Sequence, residues 1–208
     1  MTPDPGCVVC GEKQWETIAA KRYSADNQYS REYSSIRKDI LFNIWFASPR
    51  EIKLNTLICK VCGFVCYSPR PDHQDIESKY RYLAEHASAS LEFSESRKSD
   101  HRRSCELYEY IRSYMPHGAN RILDYGGGNG RLLKTFLENR FHCSIVELVN
   151  EVMPGIEYIG PSISEIPEDR KFDVAITSHV LEHLVDPLQA LRGLKSVMAD
   201  RGLIYVEV

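Results

Sequence analysis

The sequence predicts an α/β protein, a doubly wound and mostly parallel sheet preceded by a small cysteine-bearing ribbon. Three observations carry that expectation. From about residue 117 onward, short apolar runs alternate with amphipathic stretches, the pattern of successive βαβ units. One of those runs ends in Asp124-Tyr-Gly-Gly-Gly-Asn-Gly130, a glycine-rich turn that leads straight into a helical pattern. Ahead of them stand two matched Cys-x-x-Cys-Gly units, Cys7–Gly11 and Cys59–Gly63.

Composition bounds the reading. The 208 residues are 43% hydrophobic and 26% charged with 10 Pro and 12 Gly, which excludes disordered and collagen-like chains. The richest apolar runs, Ile40–Ala47 and Val174–Val180, are short and interrupted by polar groups, so no membrane span is expected. The first residues, Met1-Thr-Pro-Asp-Pro-Gly6, lack the basic start and apolar core of a secretion signal, and a cytoplasmic setting is expected. The formal net charge is −3. Residues 1–70 carry ten basic and seven acidic groups and the remainder is net acidic, so neither part is a basic platform for nucleic acid. Seven cysteines in a reducing compartment point to metal binding before disulfides.

The ribbon is expected over residues 1–70. A Cys-x-x-Cys turn lets two thiolates reach one ion, and the glycine after it permits a tight backbone curl. Two such knuckles complete the tetrahedral sulfur shell that zinc prefers, with Cys7, Cys10, Cys59 and Cys62 as ligands. Four thiolates leave no open position, so the zinc is expected to be structural. The 48 residues between the knuckles are long for a minimal ribbon, and their apolar segment Leu41-Phe-Asn-Ile-Trp-Phe46 is a candidate for an additional strand. Cys66, Cys105 and Cys143 are expected as packing residues.

Residues 71–116 read as a helical connector, with Leu107, Tyr110, Ile111 and Tyr114 at helical spacing. Its Ser-rich piece, Ser88–Ser104, fits either a mobile loop or a solvated helix face. The third segment, 117–208, holds the sheet. Strands are expected at Arg121–Asp124, Cys143–Leu148, near Glu157–Ile159, at Phe172–Thr177 and at Gly202–Val208, with helices at Gly130–Asn139 and Leu188–Met198.

The glycine turn narrows the choice of ligand. A dinucleotide fingerprint G-x-G-x-x-G starting at Gly126 needs glycine at 131, where Arg131 stands; starting at Gly127 it needs one at 129, which is Asn129. No Gly-Lys-Ser/Thr follows, so a Walker-type phosphate loop fails as well. What remains is Asp-x-Gly-x-Gly-x-Gly with a carboxylate at the edge of a strand.

That motif resembles the first motif of the class I S-adenosylmethionine-dependent methyltransferases. So do three others: the second strand ending in Glu147, 23 residues after Asp124; the segment Phe172-Asp-Val-Ala-Ile-Thr-Ser-His-Val-Leu-Glu-His183-Leu-Val-Asp-Pro187; and Gly202–Val208 as a fifth strand. The resemblance covers roughly residues 105–208 and implies a Rossmann-like core. It implies that Asp124 holds the methionine amino group, that Gly126, Gly128 and Gly130 allow close approach of the cofactor, and that Glu147 takes the ribose hydroxyls. It further implies that Ser178 and His179 face the sulfonium side. His179 and His183 are then the imidazoles near the methyl donor and the candidate general bases, their unperturbed pKa of about 6.5 suiting that task. With the cysteine knuckles in front, the chain resembles zinc-ribbon methyltransferases of bacterial surface-glycan and sugar-nucleotide modification.

The implied activity is methyl transfer to a small-molecule, sugar-nucleotide or glycan acceptor. Two alternatives stand beside it, a zinc-ribbon RNA methyltransferase, which the charge balance disfavours, and a non-catalytic adaptor with a degenerate core, which the intact Asp124, glycine and Glu147 set disfavours. The family sheet has seven strands and only five are expected before Val208. The sequence therefore reads as part of a longer enzyme or as a shortened form, with Leu203–Val206 an apolar edge open to self-association or to a partner chain.

Overall fold

A computed structural model describes residues 6–26, 36, 38–46, 50–86, 93–148 and 151–208, and divides the chain into units 1–88 and 89–208. In the first unit, β1 (Trp15–Ser24), β2 (Glu51–Cys59) and β3 (Val65–Ser68) form an antiparallel sheet in that order. Each knuckle closes with a glycine amide donating to the first cysteine carbonyl, Gly11 to Cys7 at 2.7 Å and Gly63 to Cys59 at 2.9 Å. Both glycines have φ near +80°, a conformation that costs a side chain dearly.

The expected strand at Leu41–Phe46 is not formed. Ile40–Trp45 is a π-helical turn that packs on α1 (His73–His86), with Ile40 and Phe42 buried and the Trp45 indole N–H donating to the Asp75 carbonyl at 3.2 Å. A six-residue apolar run has no period long enough to separate helix from strand, and here a helix surface supplied the burial. Asp72 and Asp75 start α1 by exchanging side-chain to backbone hydrogen bonds at 2.9 Å, a capping box that satisfies two otherwise orphaned N–H groups.

The second unit opens with α2 (Phe93–Ile111), so the described part of the Ser-rich piece is helical. There follow β4 (Arg121–Tyr125), a 3-10 turn at Arg131–Leu133 running into α3 (Lys134–Glu138), β5 (His142–Val146), β6 (Ile156–Gly160), β7 (Phe172–Ser178), α4 (Pro187–Ser196) and β8 (Met198–Glu207). The strand order is β6-β5-β4-β7-β8, and every pairing is parallel. The alternation in β4 shows how the core is split. Ile122 joins Ile145, Val174, Ile176 and, from α2, Leu107 and Ile111 on one face; Leu123 joins Val146, Ala175 and Leu194 of α4 on the other. Tyr110 and Tyr114, expected on the same helix face as Leu107 and Ile111, stay exposed, with Tyr110 edge-on to Tyr205.

Ser104 is fully buried in α2. Its hydroxyl donates to the Leu132 carbonyl at 2.8 Å and accepts from the Thr135 amide at 2.9 Å, which fixes α2 to the start of α3. No described helix is long and apolar enough to cross a membrane. The chain leaves β4 toward β5 on one side and resumes at β7 on the other, so the carboxyl ends of β4 and β7 form the switch point where doubly wound sheets open a crevice for ligands.

Candidate functional site

At that switch point β4 delivers Asp124 and Tyr125 into the glycine loop. The Gly126 amide donates to the Val146 carbonyl at 2.8 Å, holding the loop against the end of β5. A Cβ at Gly126 would stand 2.6 Å from the Val180 side chain, so the loop and the segment after β7 touch where only hydrogen fits. A Cβ at Gly127 would fall on the Asp124 carboxylate.

Asp124 is completely buried, and neither of its carboxylate oxygens has a hydrogen-bond partner among the described residues. Burial, and then the charge of Glu147, pushes its pKa up to about 7. Glu147 lies at the rim. Its Oε2 accepts from the Gly128 amide at 2.8 Å and its Oε1 from the Leu148 amide at 2.7 Å. The loop thus carries one carboxylate beneath it and one across its outer turn. Gly130 ends the loop with φ +81°, and the next residue, Arg131, pairs with Asp100 of α2 at 2.8 Å.

The ends of β7 and β8 form the second wall. Ser178 Oγ donates to Glu207 Oε2 at 2.7 Å, and Arg103 Nη2 from α2 lies 2.7 Å from both. These donors hold the Glu207 carboxyl below the ordinary value of 4.5, the Ser178 hydroxyl first and Arg103 after it. His179 adopts φ +55°, with Nδ1 3.2 Å from Glu182 Oε1 and Nε2 3.7 Å from Glu207 Oε1. His183 closes the 3-10 turn Leu181–His183, its amide donating to the Val180 carbonyl at 2.9 Å.

Asp124, Gly126, Gly128, Gly130 and Glu147 therefore share one loop and its rim, and the Gly126–Val180 approach brings that loop against the turn that follows Ser178 and His179. Sequence reasoning missed Gly127, Arg103 and Glu207. Gly127 was hidden among its neighbours because only its position over Asp124 distinguishes it. Arg103 sits in a polar stretch with the texture of a solvated helix, and the one available signal for Glu207 was its alternation with Tyr205 on the same strand face.

A cleft of about 580 Å³ lies at the opposite, amino-terminal ends of the strands, lined by residues including Arg121, His142 and Arg170. In it the Arg170 guanidinium bridges Glu157 and Ser144, and it lacks the glycine loop and the buried Asp124 carboxylate. A glycine cradle over an unpartnered carboxylate suits a ligand with a cationic end, which S-adenosylmethionine has in its ammonium and sulfonium groups.

In the first unit the four knuckle sulfurs all lie within 4.8 Å of one another, with Cys7 to Cys62 and Cys10 to Cys59 at 3.6 Å. Tetrahedral zinc with bonds of about 2.3 Å spaces its sulfurs about 3.8 Å apart, so this cluster fits that ion.

The sequence model of the methyltransferase domain family matches residues 78–208. No curated protein matches the chain. Similar solved structures include a SAM-bound amino pentose methyltransferase from Micromonospora echinaspora involved in calicheamicin biosynthesis, 21% identical with TM-score 0.42, covering 62% of this chain and 54% of that one. A sugar N-methyltransferase from a Streptoalloteichus species is 17% identical with TM-score 0.42, covering 49% and 46%. A SAM-dependent methyltransferase from Thiobacillus denitrificans, in complex with S-adenosyl-L-homocysteine, is 20% identical with TM-score 0.40, covering 50% and 46%. The chain spans about half the length of these proteins.

Proposed function

The chain belongs to the methyltransferase domain family, and from that premise we propose that it transfers a methyl group from S-adenosylmethionine to a small-molecule, sugar-nucleotide or glycan acceptor. The observation that supports this reading most is the buried Asp124 carboxylate without a partner, lying under a glycine loop whose rim carries Glu147.

S-adenosylmethionine supplies, when bound, a methyl group on a sulfonium, which an acceptor lone pair attacks in line. The chain's own residues align the partners, a contribution worth up to about 7–11 kcal/mol when geometry is ideal. In this reading Asp124 provides the counter-charge for the ammonium group and Glu147 exchanges its bond to the Gly128 amide for the ribose hydroxyls. Ser178 and His179 line the sulfonium side. An amine or hydroxyl acceptor loses a proton as it is methylated, and His179 or His183 is the base that takes it. His179 is the better placed of the two on what the geometry offers, because it directly follows Ser178 at the end of β7 and its ring lies between Glu182 and Glu207. We further propose that Cys7, Cys10, Cys59 and Cys62 hold a structural zinc.

Calorimetry with S-adenosylmethionine and with NADH tests the cofactor, and labelled methyl transfer to a panel of sugar nucleotides, amino sugars and glycans tests the acceptor. Binding of S-adenosylmethionine, weakened in Glu147→Ala, is the expected result. Binding of NADH with no response to S-adenosylmethionine would overturn the reading.

A further inference from the structure

Asp124 sits among groups that leave its charge unanswered. Just past β5, Glu147 is bonded to the Gly128 and Leu148 amides, and within β5 the Cys143 thiol is pushed up to about 12 by burial and then by Asp124 itself. On α2, Asp100 is paired with Arg131, Arg103 is engaged by Glu207 and Ser178, and His101 has a buried Nδ1 without a partner. After β7, His179 stands between Glu182 and Glu207. Tyr125, next along β4, is on the other face. Among the described residues no cation reaches either Asp124 oxygen, and Glu147 repels a charge there. An anion so enclosed is costly, and a carboxyl in that position keeps its proton to a pH far above the ordinary aspartate value.

We propose that a ligand carrying an α-ammonium group expels a proton from Asp124 when it settles on the glycine loop. The carboxyl O–H bond breaks, the proton passes to solvent, and the ammonium becomes the counter-charge that the carboxylate lacks in the free protein. Gly127 makes this possible. Having no side chain, it is a thin cover over a carboxylate that is itself out of contact with water, where charges act on each other strongly. The proposal rests on the S-adenosylmethionine reading and adds to it that binding is linked to pH through one named group.

The test is calorimetry of S-adenosylhomocysteine binding at pH 7 in phosphate and in Tris, buffers whose ionisation heats differ. With a free-state pKa of about 7, roughly half a proton per ligand is expected to leave, because an α-amino group is itself mostly protonated at that pH. Asp124→Asn, which loses the counter-charge, should bind more weakly and release no proton. Binding by the wild type without proton release overturns the proposal and leaves the cofactor reading intact, whereas no binding of either S-adenosyl compound overturns both. Equal release with 5′-methylthioadenosine, which has no ammonium, or release retained in Asp124→Asn, also overturns it. A readout that needs no variant is the carboxyl carbon resonance of Asp124 in labelled protein, which should titrate near pH 7 in the free protein and several units lower in the complex. A free-state midpoint near 4 sinks the proposal.

Discussion

Arg103 Nη2 lies 2.7 Å from Glu207 Oε2, joining residues 104 apart in the chain and tying α2 to the last strand. Ser178 completes the contact from β7, so three elements meet at one carboxylate beside His179.

Because the Arg103 and Glu207 side chains are 41% and 34% exposed, solvent screens the pair, and Arg103→Ala should cost no more than about 1 kcal/mol at pH 7. The sign of its pH dependence follows from Glu207, whose pKa is lowered by Ser178 and then Arg103. A depressed carboxylate stabilises the fold above its unfolded value and loses that contribution as pH falls through the folded one. The gap between wild type and Arg103→Ala in urea denaturation should therefore be open at pH 7 and close below the ordinary glutamate value of 4.5.

Asp124 has the opposite sign. Its pKa is raised from 3.8 to about 7, so the penalty is absent below the unfolded value and grows as pH rises from about 4 to above 7. Asp124→Asn removes the charge. In the free protein its stability relative to wild type should improve across that window, by up to ~4 kcal/mol for three pKa units. Urea denaturation of both proteins at pH 4 and pH 8 measures the change, and a flat difference would count against a buried, uncompensated carboxyl.

Gly127 and Gly128 should respond differently to the same methyl group. At Gly127 an added Cβ meets the Asp124 carboxylate, so the loop must move and cofactor binding should be lost. At Gly128 no described residue comes within 4 Å of an added Cβ, and the cost of Gly128→Ala is the strain of φ +60°, about 1–2 kcal/mol. Thermal denaturation together with S-adenosylmethionine titration of the two variants separates a blocked site from a strained turn.

Zinc should be present at about one ion per chain and lost in Cys59→Ser plus Cys62→Ser, because a shell of two sulfurs is not the closed site four thiolates make. Elemental analysis reads this directly. Chelation should also weaken the β1–β3 sheet, whose knuckles the ion would join, seen as a fall in thermal unfolding temperature.

Much of this protein was determined locally, and the sequence by itself was enough for it. The five strands of the second unit fall within a few residues of their expected places because each is a short apolar run bounded by turn residues. Asp124, the glycine loop and Glu147 lie together because parallel β4 and β5 are neighbours joined by one short helix. The two Cys-x-x-Cys-Gly knuckles have their tight curl in their own five residues, and the antiparallel pairing that sets Trp15 opposite Cys59 draws them together. Tertiary structure alone decided the rest. Ile40–Trp45 became helical because α1 offered a surface to pack on, a choice its own six residues do not contain. Arg103 found Glu207 only because α2 crosses the sheet at a register that no local pattern encodes. Asp124 was legible as a carboxylate at a strand end, but its burial without a partner among the described residues, with Glu147 as the charge that acts on it, depends on elements brought in from elsewhere in the fold. Electrostatic isolation belongs to the whole arrangement of neighbours, and a sequence shows those neighbours only one at a time.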